Sequence, residues 1–176
     1  MEEVVARVKD LVRDIPDFPK AGVTFKDITP LLADAKAFSA VISALAAPFE
    51  DLRIDKVIGV EARGFIIAAP VAYHLGAGFV PVRKKGKLPA SVYSDTYELE
   101  YGFDTLEVHT DSLEPGERAL VVDDVLATGG TAAATCRLVE KLGGEAVGFG
   151  CVIELGFLNG RDKLGELAVE ALVSYE

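Results

Sequence analysis

Apolar residues at Val4, Val5, Val8, Leu11, Val12 and Ile15 fall on one face of a helix and predict a helix over residues 4–15, ended by Pro16 and Pro19. Residues 22–32 hold no period and are broken by Pro30, so they read as irregular or briefly extended. Helical spacing returns over 36–47 and stops at Pro48. The rhythm then changes to strand, turn and helix. Residues 57–60 form a short buried strand, Gly64 punctuates it, and 65–75 follow as a helix with Pro70 as a kink position. Residues 79–82 are the next strand. The stretch 84–101 is polar, carries Gly86 and Pro89, and has no firm period, which predicts a mobile loop or a hairpin. Residues 105–109 alternate weakly, as a strand does. The strongest strand is 119–122 and the strongest helix 131–142, closed by Gly143 and Gly144. Residues 146–153 and 168–173 finish as strands. Strands alternating with helices predict an α/β fold, a parallel sheet flanked by helices with right-handed crossovers. A length of 176 residues suits a single domain.

Composition narrows this picture. Half the residues are hydrophobic, with 17 Gly and 8 Pro, which is a foldable globular chain and not a disordered one. No apolar run approaches the roughly 20 residues of a membrane span. The acidic start Met1-Glu2-Glu3 lacks the basic opening and apolar core of a secretory signal, so the expectation is a cytoplasmic protein without a membrane partner. Cys136 and Cys151 lie in apolar stretches and read as buried thiols of a reducing compartment. His74 and His109 are isolated, and no Cys/His cluster suggests zinc. A net charge of -10 argues against nucleic acid as a partner. Arg83, Lys84, Lys85 and Lys87 nevertheless crowd into five positions, which suits a small anionic ligand.

The chemistry concentrates in Val121-Val122-Asp123-Asp124-Val125-Leu126-Ala127-Thr128-Gly129-Gly130-Thr131. An apolar strand runs into two carboxylates, then a loop of small residues, then a helix. At the carboxyl edge of a parallel sheet, paired acids can accept from the vicinal hydroxyls of a ribose. Glycines let backbone N–H groups close on a phosphate, and the helix start adds partial positive charge. The plainer alternative is a strand–turn–helix joint in which Asp and Thr cap the helix. No Gly-Lys-Ser/Thr follows, so this is not a Walker loop, and neither Gly76-Ala77-Gly78 nor Gly148-Phe149-Gly150 continues into a dinucleotide fingerprint.

The segment resembles the phosphoribosyl pyrophosphate signature of the type I phosphoribosyltransferases. The resemblance implies that Asp123 and Asp124 meet the ribose hydroxyls, and that Ala127, Thr128, Gly129, Gly130 and Thr131 hold the 5-phosphate. Glu61-Ala62-Arg63-Gly64-Phe65 then matches the family's pyrophosphate loop, with Ala62 and Arg63 at the leaving group. Arg83-Lys84-Lys85-Gly86-Lys87 matches basic residues that meet pyrophosphate, Arg83, Lys84 and Lys87 among them, some reaching a neighbouring subunit's site. Glu98-Leu99-Glu100-Tyr101-Gly102 closes a mobile loop, about 84–104, in which Glu100 approaches the base and Tyr101 helps shut the site. Residues 17–32, within a small N-terminal hood of about 1–35, resemble the enzymes of the family that act on adenine. Thr24, Phe25 and Lys26 on one side and Leu158 on the other would enclose the base; Lys26 stands where relatives often carry Arg, which matters little if backbone does the reading.

The reaction so implied is purine salvage. Adenine N9 displaces pyrophosphate from the anomeric carbon of phosphoribosyl pyrophosphate, giving AMP through an oxocarbenium-like transition state, with Arg63 and Glu100 as the catalytic groups. The resemblance also implies Mg2+ held mainly through substrate oxygens and water, and a homodimer. Two other readings stand beside it: the same transfer to guanine or xanthine, and a regulator that senses phosphoribosyl pyrophosphate while binding nucleic acid. Net acidity and the lack of a helix-turn-helix segment count against the second.

Overall fold

In the computed structural model, which describes residues 1–98 and 102–176, the chain opens with helix α1 (Glu2–Leu11). The apolar spacing runs on to Ile15, but the helix does not. Arg13–Ile15 forms strand β1, antiparallel to β2 (Phe25–Asp27), with Arg13 opposite Asp27 and Ile15 opposite Phe25. Pro16 would deprive a last helical turn of partners, and cross-strand pairing supplies them instead. Pro30, expected to break the next segment, sits in the first turn of α2 (Thr29–Ala33), where its missing N–H has no helical partner to lose. Asp34 caps α3 (Ala35–Ala46) by accepting from the N–H groups of Lys36 and Ala37.

The strand–helix alternation then follows the sequence: β3 (Lys56–Val60), α4 (Arg63–Leu75) and β4 (Gly78–Lys84). Of the two forms open to the polar stretch after β4, the hairpin is found. Strand β5 (Val92–Glu98) pairs antiparallel with β6 (Phe103–His109) along their whole length, from Val92 opposite His109 to Glu98 opposite Phe103. Next come β7 (Arg118–Leu126), α5 (Gly130–Lys141), β8 (Glu145–Leu155), two 3-10 turns over Gly156–Leu158 and Gly160–Leu164, and β9 (Val169–Tyr175). The main sheet has the order β5-β6-β4-β3-β7-β8-β9. Strands β4, β3, β7, β8 and β9 run parallel, and the β5–β6 hairpin joins β4 antiparallel at one edge.

Alternation along β7 builds two cores. Leu120 and Val122 join Val41, Leu45, Phe49, Ile67 and Val71 under α3 and α4, whereas Ala119 and Val121 join Leu138, Val139 and Phe149 under α5. Each large apolar side chain removed from water contributes about 1.5–3 kcal/mol. Cys151 is buried and Cys136 partly so; both are free, and burial pushes the Cys136 thiol up to about 11. No described helix is long and apolar enough to cross a membrane.

The sheet places a crevice where its strand order reverses. Pairing of β3 with β7 ends at Gly59 opposite Val122, and pairing of β3 with β4 at Val60 opposite Val82. Strand β7 runs on to Leu126 beside β8 alone. The carboxyl ends of β3 and β7 therefore part, which is where an open α/β sheet receives its ligand.

Candidate active site

A cavity of about 560 Å3 fills that crevice. Its lining comes from four stretches: Val23, Thr24, Phe25 and Lys26 of the hood; Val60, Glu61, Ala62 and Arg63 after β3; Asp123 to Ala132 at the end of β7; and Lys84, Tyr97 and Leu106 from β4 and the hairpin, with Leu155 completing it.

Asp123 and Asp124 lie within β7, not beyond it, because the strand continues to Leu126. Both acids line the cavity and meet the start of α4, Asp124 at Arg63 and Asp123 at Gly64. The Arg63 Nε stands 2.7 Å from Asp124 Oδ2. The angles fall short of a hydrogen bond, so this buried oxygen, on a side chain 6 % exposed, has charge compensation but no hydrogen-bond partner. Asp123 Oδ1 accepts from the Asp124 N–H at 2.9 Å and abuts Gly64, where a Cβ would stand 2.6 Å away. Burial and the neighbouring Asp124 carboxylate push Asp123 well above the ordinary carboxylate range. Two acids held so close, one of them reluctant to ionise, suit hydroxyl donors arriving from a ligand.

After β7 the chain turns through Ala127 and Thr128 to Gly129, whose φ of 76° is left-handed, and enters α5. No side chain caps this helix, so its first N–H groups face the cavity open to an anion. The turn leans on Gly160: a Cβ there would stand 2.2 Å from the Ala127 carbonyl oxygen, and a Cβ on Gly129 2.2 Å from the Gly160 carbonyl oxygen. Gly160 is held in turn by Arg161, whose guanidinium donates to both oxygens of buried Glu154, at 2.6 and 2.8 Å.

The basic cluster divides. Arg83 and Lys87 turn to Glu61, at 3.3 and 2.7 Å, and do not line the cavity. Burial works against the Glu61 carboxylate, but Lys87, the Lys84 N–H and Arg83 outweigh it and hold its pKa down to about 2. Lys84 does line the cavity and pairs with Asp104. Burial opposes both charges, and each partner outweighs it, so Lys84 lies above its ordinary range and Asp104 below.

In the hood, Phe25 meets Phe18 edge to face at 5.3 Å, and the Arg63 guanidinium lies 4.9 Å from its ring centre. The Lys26 ammonium is occupied by Asp14, at 2.6 Å, and by the Tyr175 ring, at 3.8 Å, so its backbone is left to face a ligand.

The cavity thus gathers Thr24, Phe25, Lys26, Ala62, Arg63, Lys84, Asp123, Asp124 and the 127–131 loop. Arg83, Lys87 and Leu158 are not among its lining residues; Leu155, three positions before Leu158, is. Glu100 and Tyr101 lie outside the described residues. Sequence reasoning missed Glu61, Tyr97, Asp104 and Gly160. Only the first carried a signal, an acid two positions before Arg63 on an otherwise apolar strand end. No cluster of three or more His, Cys, Asp or Glu that would hold a metal occurs among the described residues.

Comparison with known proteins identifies the family and the fold. A family model for the phosphoribosyl transferase domain matches residues 24–166. The adenine phosphoribosyltransferase of Acidothermus cellulolyticus is 57% identical over 162 residues, 92% of each chain. That of Trichormus variabilis is 58% identical over 170 residues, 96% of this chain and 99% of the relative. The crystal structure of the Rhodothermus marinus adenine phosphoribosyltransferase superposes with a TM-score of 0.95 at 49% identity, covering 99% of this chain and 100% of that one. The Saccharomyces cerevisiae enzyme, solved with an iminoaltritol bisphosphate and adenine, superposes with a TM-score of 0.93 at 38% identity, covering 98% and 100%. The chain belongs to the phosphoribosyl transferase domain family, among the adenine phosphoribosyltransferases.

Proposed function

We propose that this chain transfers the 5-phosphoribosyl group of phosphoribosyl pyrophosphate to adenine, giving AMP and pyrophosphate in purine salvage. The observation that carries the proposal is that one continuous cavity joins three chemically distinct ends. The Thr24–Phe25–Lys26 strand edge and aromatic ring suit a purine, the Asp123–Asp124 pair suits ribose hydroxyls, and the uncapped start of α5 suits a phosphate. The co-crystallised ligands of two relatives, adenine in the S. cerevisiae enzyme and 9-deazaadenine in that of Giardia lamblia, support the base.

In this reading Asp124 exchanges its contact with Arg63 for the ribose, which frees the guanidinium for the departing pyrophosphate. Ala62, Arg63 and Lys84 receive that group from their own chain. Backbone N–H groups of 127–131, with the Thr128 and Thr131 hydroxyls, hold the 5-phosphate. Leu155 closes the base side opposite Phe25. Glu100 stabilises positive charge growing on the purine as N9 attacks, and Tyr101 helps close the site. Held this way, the reaction is governed by positioning and electrostatics. Among the described residues no third His, Cys, Asp or Glu joins the two adjacent carboxylates as a metal site, which fits Mg2+ carried on the substrate, where it would offset the charge of the leaving group. A homodimer and a cytoplasmic setting complete the proposal. Exposed large apolar side chains on α4 and β4, Ile66, Tyr73 and Phe79, with Tyr73 90% exposed, support the dimer.

The test is incubation with phosphoribosyl pyrophosphate, Mg2+ and each purine in turn. Adenine is expected to react fastest, giving AMP; faster turnover of guanine or xanthine overturns the assignment of the base.

A further inference from the structure

The β5–β6 hairpin reaches the cavity through polar residues that the proposed mechanism has not yet used. Tyr97 of β5 points inward and is 7% exposed. Its ring covers the first residue of α5, close enough that a Cβ on Gly130 would stand 3.0 Å from Tyr97 Cδ2. Its hydroxyl accepts from Thr131 Oγ1 at 3.0 Å and donates to Asp104 Oδ2 at 3.3 Å. The same Asp104 oxygen holds the Lys84 ammonium, and the other accepts from the Thr105 N–H at 2.8 Å. Asp95, two positions before Tyr97, is clamped to α5 by Arg137 and Lys141 at 2.7 and 2.9 Å, which fixes β5 against that helix. Both ends of the chain, Lys84 and Thr131, line the cavity.

We propose that Tyr97 is a positioning residue for Thr131, and that the Lys84–Asp104–Tyr97–Thr131 relay couples the pyrophosphate end of the cavity to its 5-phosphate end. The inference rests on the reading of those two ends given above.

A phenol has one proton to give. With that proton on Asp104, the Thr131 proton is drawn to Tyr97 and away from the cavity. A 5-phosphate needs the Thr131 proton for itself. Once Thr131 donates to phosphate, its oxygen faces Tyr97 as an acceptor, and the tyrosine proton turns from Asp104 to Thr131. Asp104 then relies on Lys84 and the Thr105 N–H alone, and its hold on Lys84 tightens. Pyrophosphate works the relay from the other side. By drawing Lys84 away it leaves Asp104 dependent on the Tyr97 proton, and Thr131 loses its incoming bond. The two anions therefore weaken one another through the hairpin, in addition to their direct repulsion. After transfer the 5-phosphate stays on the nucleotide, so the relay favours departure of pyrophosphate.

The experiment measures pyrophosphate affinity by calorimetry, with and without saturating ribose 5-phosphate, at constant Mg2+. In the unmodified protein ribose 5-phosphate weakens pyrophosphate binding. In Tyr97→Phe, which keeps the ring over Gly130, that weakening is expected to shrink about three- to tenfold, the worth of one exchanged hydrogen bond. Asp104→Asn is expected to shrink it likewise, and the double variant no further than either single one. A purely structural role for Tyr97 would lower thermal stability and leave the ratio of the two affinities unchanged. That result, in both single variants, overturns the relay while leaving the proposed function intact. If the unmodified protein binds neither ligand, the reading of the cavity fails and the relay with it.

Discussion

The Arg63 guanidinium and the Asp124 carboxylate close on each other across the mouth of the crevice, Nε to Oδ2 at 2.7 Å, linking the end of β3 to the end of β7. Asp124 is 6% exposed at its side chain and Arg63 42%, so the acid depends on the pair more than the base does. Removing Arg63 leaves a buried carboxylate without compensation.

Arg63→Ala should therefore cost about 1 kcal/mol of stability, a buried-pair loss discounted because solvent screens the exposed partner. Asp124→Asn added to it should restore that stability. Activity behaves differently, since both groups are assigned to the reaction. Either single variant, and the double one, should lose on the order of a hundredfold in kcat/KM. Thermal melts and steady-state assays on the four proteins of the cycle decide the matter; strictly additive melts would mean that the two residues are not coupled.

Asp123 offers a test of stability against activity. Its pKa is raised in the folded chain by burial and by Asp124, so the folded state resists its ionisation. Stability from this group is greatest below the unfolded carboxylate range and declines as pH rises from there to the folded pKa. Asp123→Asn removes that decline. The ligand-free variant should melt higher than the unmodified protein at neutral pH and equally near pH 3, while kcat/KM for phosphoribosyl pyrophosphate falls. A variant that melts lower at neutral pH would show the carboxylate to be stabilising where it stands.

How much of this could be read from the sequence depends on what held each segment in place. The run from Val121 to Thr131 announced a site because an apolar strand, two acids and a glycine turn occur in a row and each carries its own signal. The 92–98 strand did not, because its inward positions are Asp95 and Tyr97, buried by partners far away in the chain: Arg137 and Lys141 for the first, Thr131 and Asp104 for the second. A period of two was present, written in polar residues. The 13–15 strand was masked for the opposite reason, since its apolar residues continue the helical spacing of α1 and only the pairing with β2 distinguishes them. In the sequence Pro30 reads as an interruption, and in the structure it is a helix start, a distinction that depends on where the preceding turn falls.

Gly160 is a fourth such case, a glycine whose neighbours in the chain do not mark its role. A Cβ on it would stand 2.2 Å from the Ala127 carbonyl oxygen, so the 127–131 turn packs directly against a loop that follows β8. Gly160→Ala should push the 127–131 turn out of place. Overpacking of this kind costs about 1–3 kcal/mol, and a displacement near 1 Å in a positioning element costs about a hundredfold in rate. The expected signature is a raised KM for phosphoribosyl pyrophosphate and weaker ribose 5-phosphate binding, with little change in adenine affinity. Equal loss toward both substrates would indicate general loosening instead.

Arg83 poses the last question, because it is part of a basic cluster attributed to pyrophosphate yet does not line the cavity of its own chain. Its guanidinium lies against Glu61, with Nε and one terminal nitrogen each 3.3 Å from a carboxylate oxygen, and it donates to the Lys87 carbonyl at 3.2 Å. It stands on β4, the strand that also carries exposed Phe79. In the proposed dimer, an arginine oriented by a carboxylate could serve the neighbouring cavity, and mixed dimers can detect that. Arg83→Gln alone and Asp124→Asn alone should each be nearly inactive. When the two variants share a dimer, an Arg83 acting across the boundary leaves one site complete: the subunit with an intact Asp124 receives an intact Arg83 from its partner. Co-expression, with differently tagged subunits purified as mixed dimers, should then recover activity in one site of each pair. An Arg83 acting within its own chain leaves both sites damaged, and the mixed dimer stays as inactive as its parents.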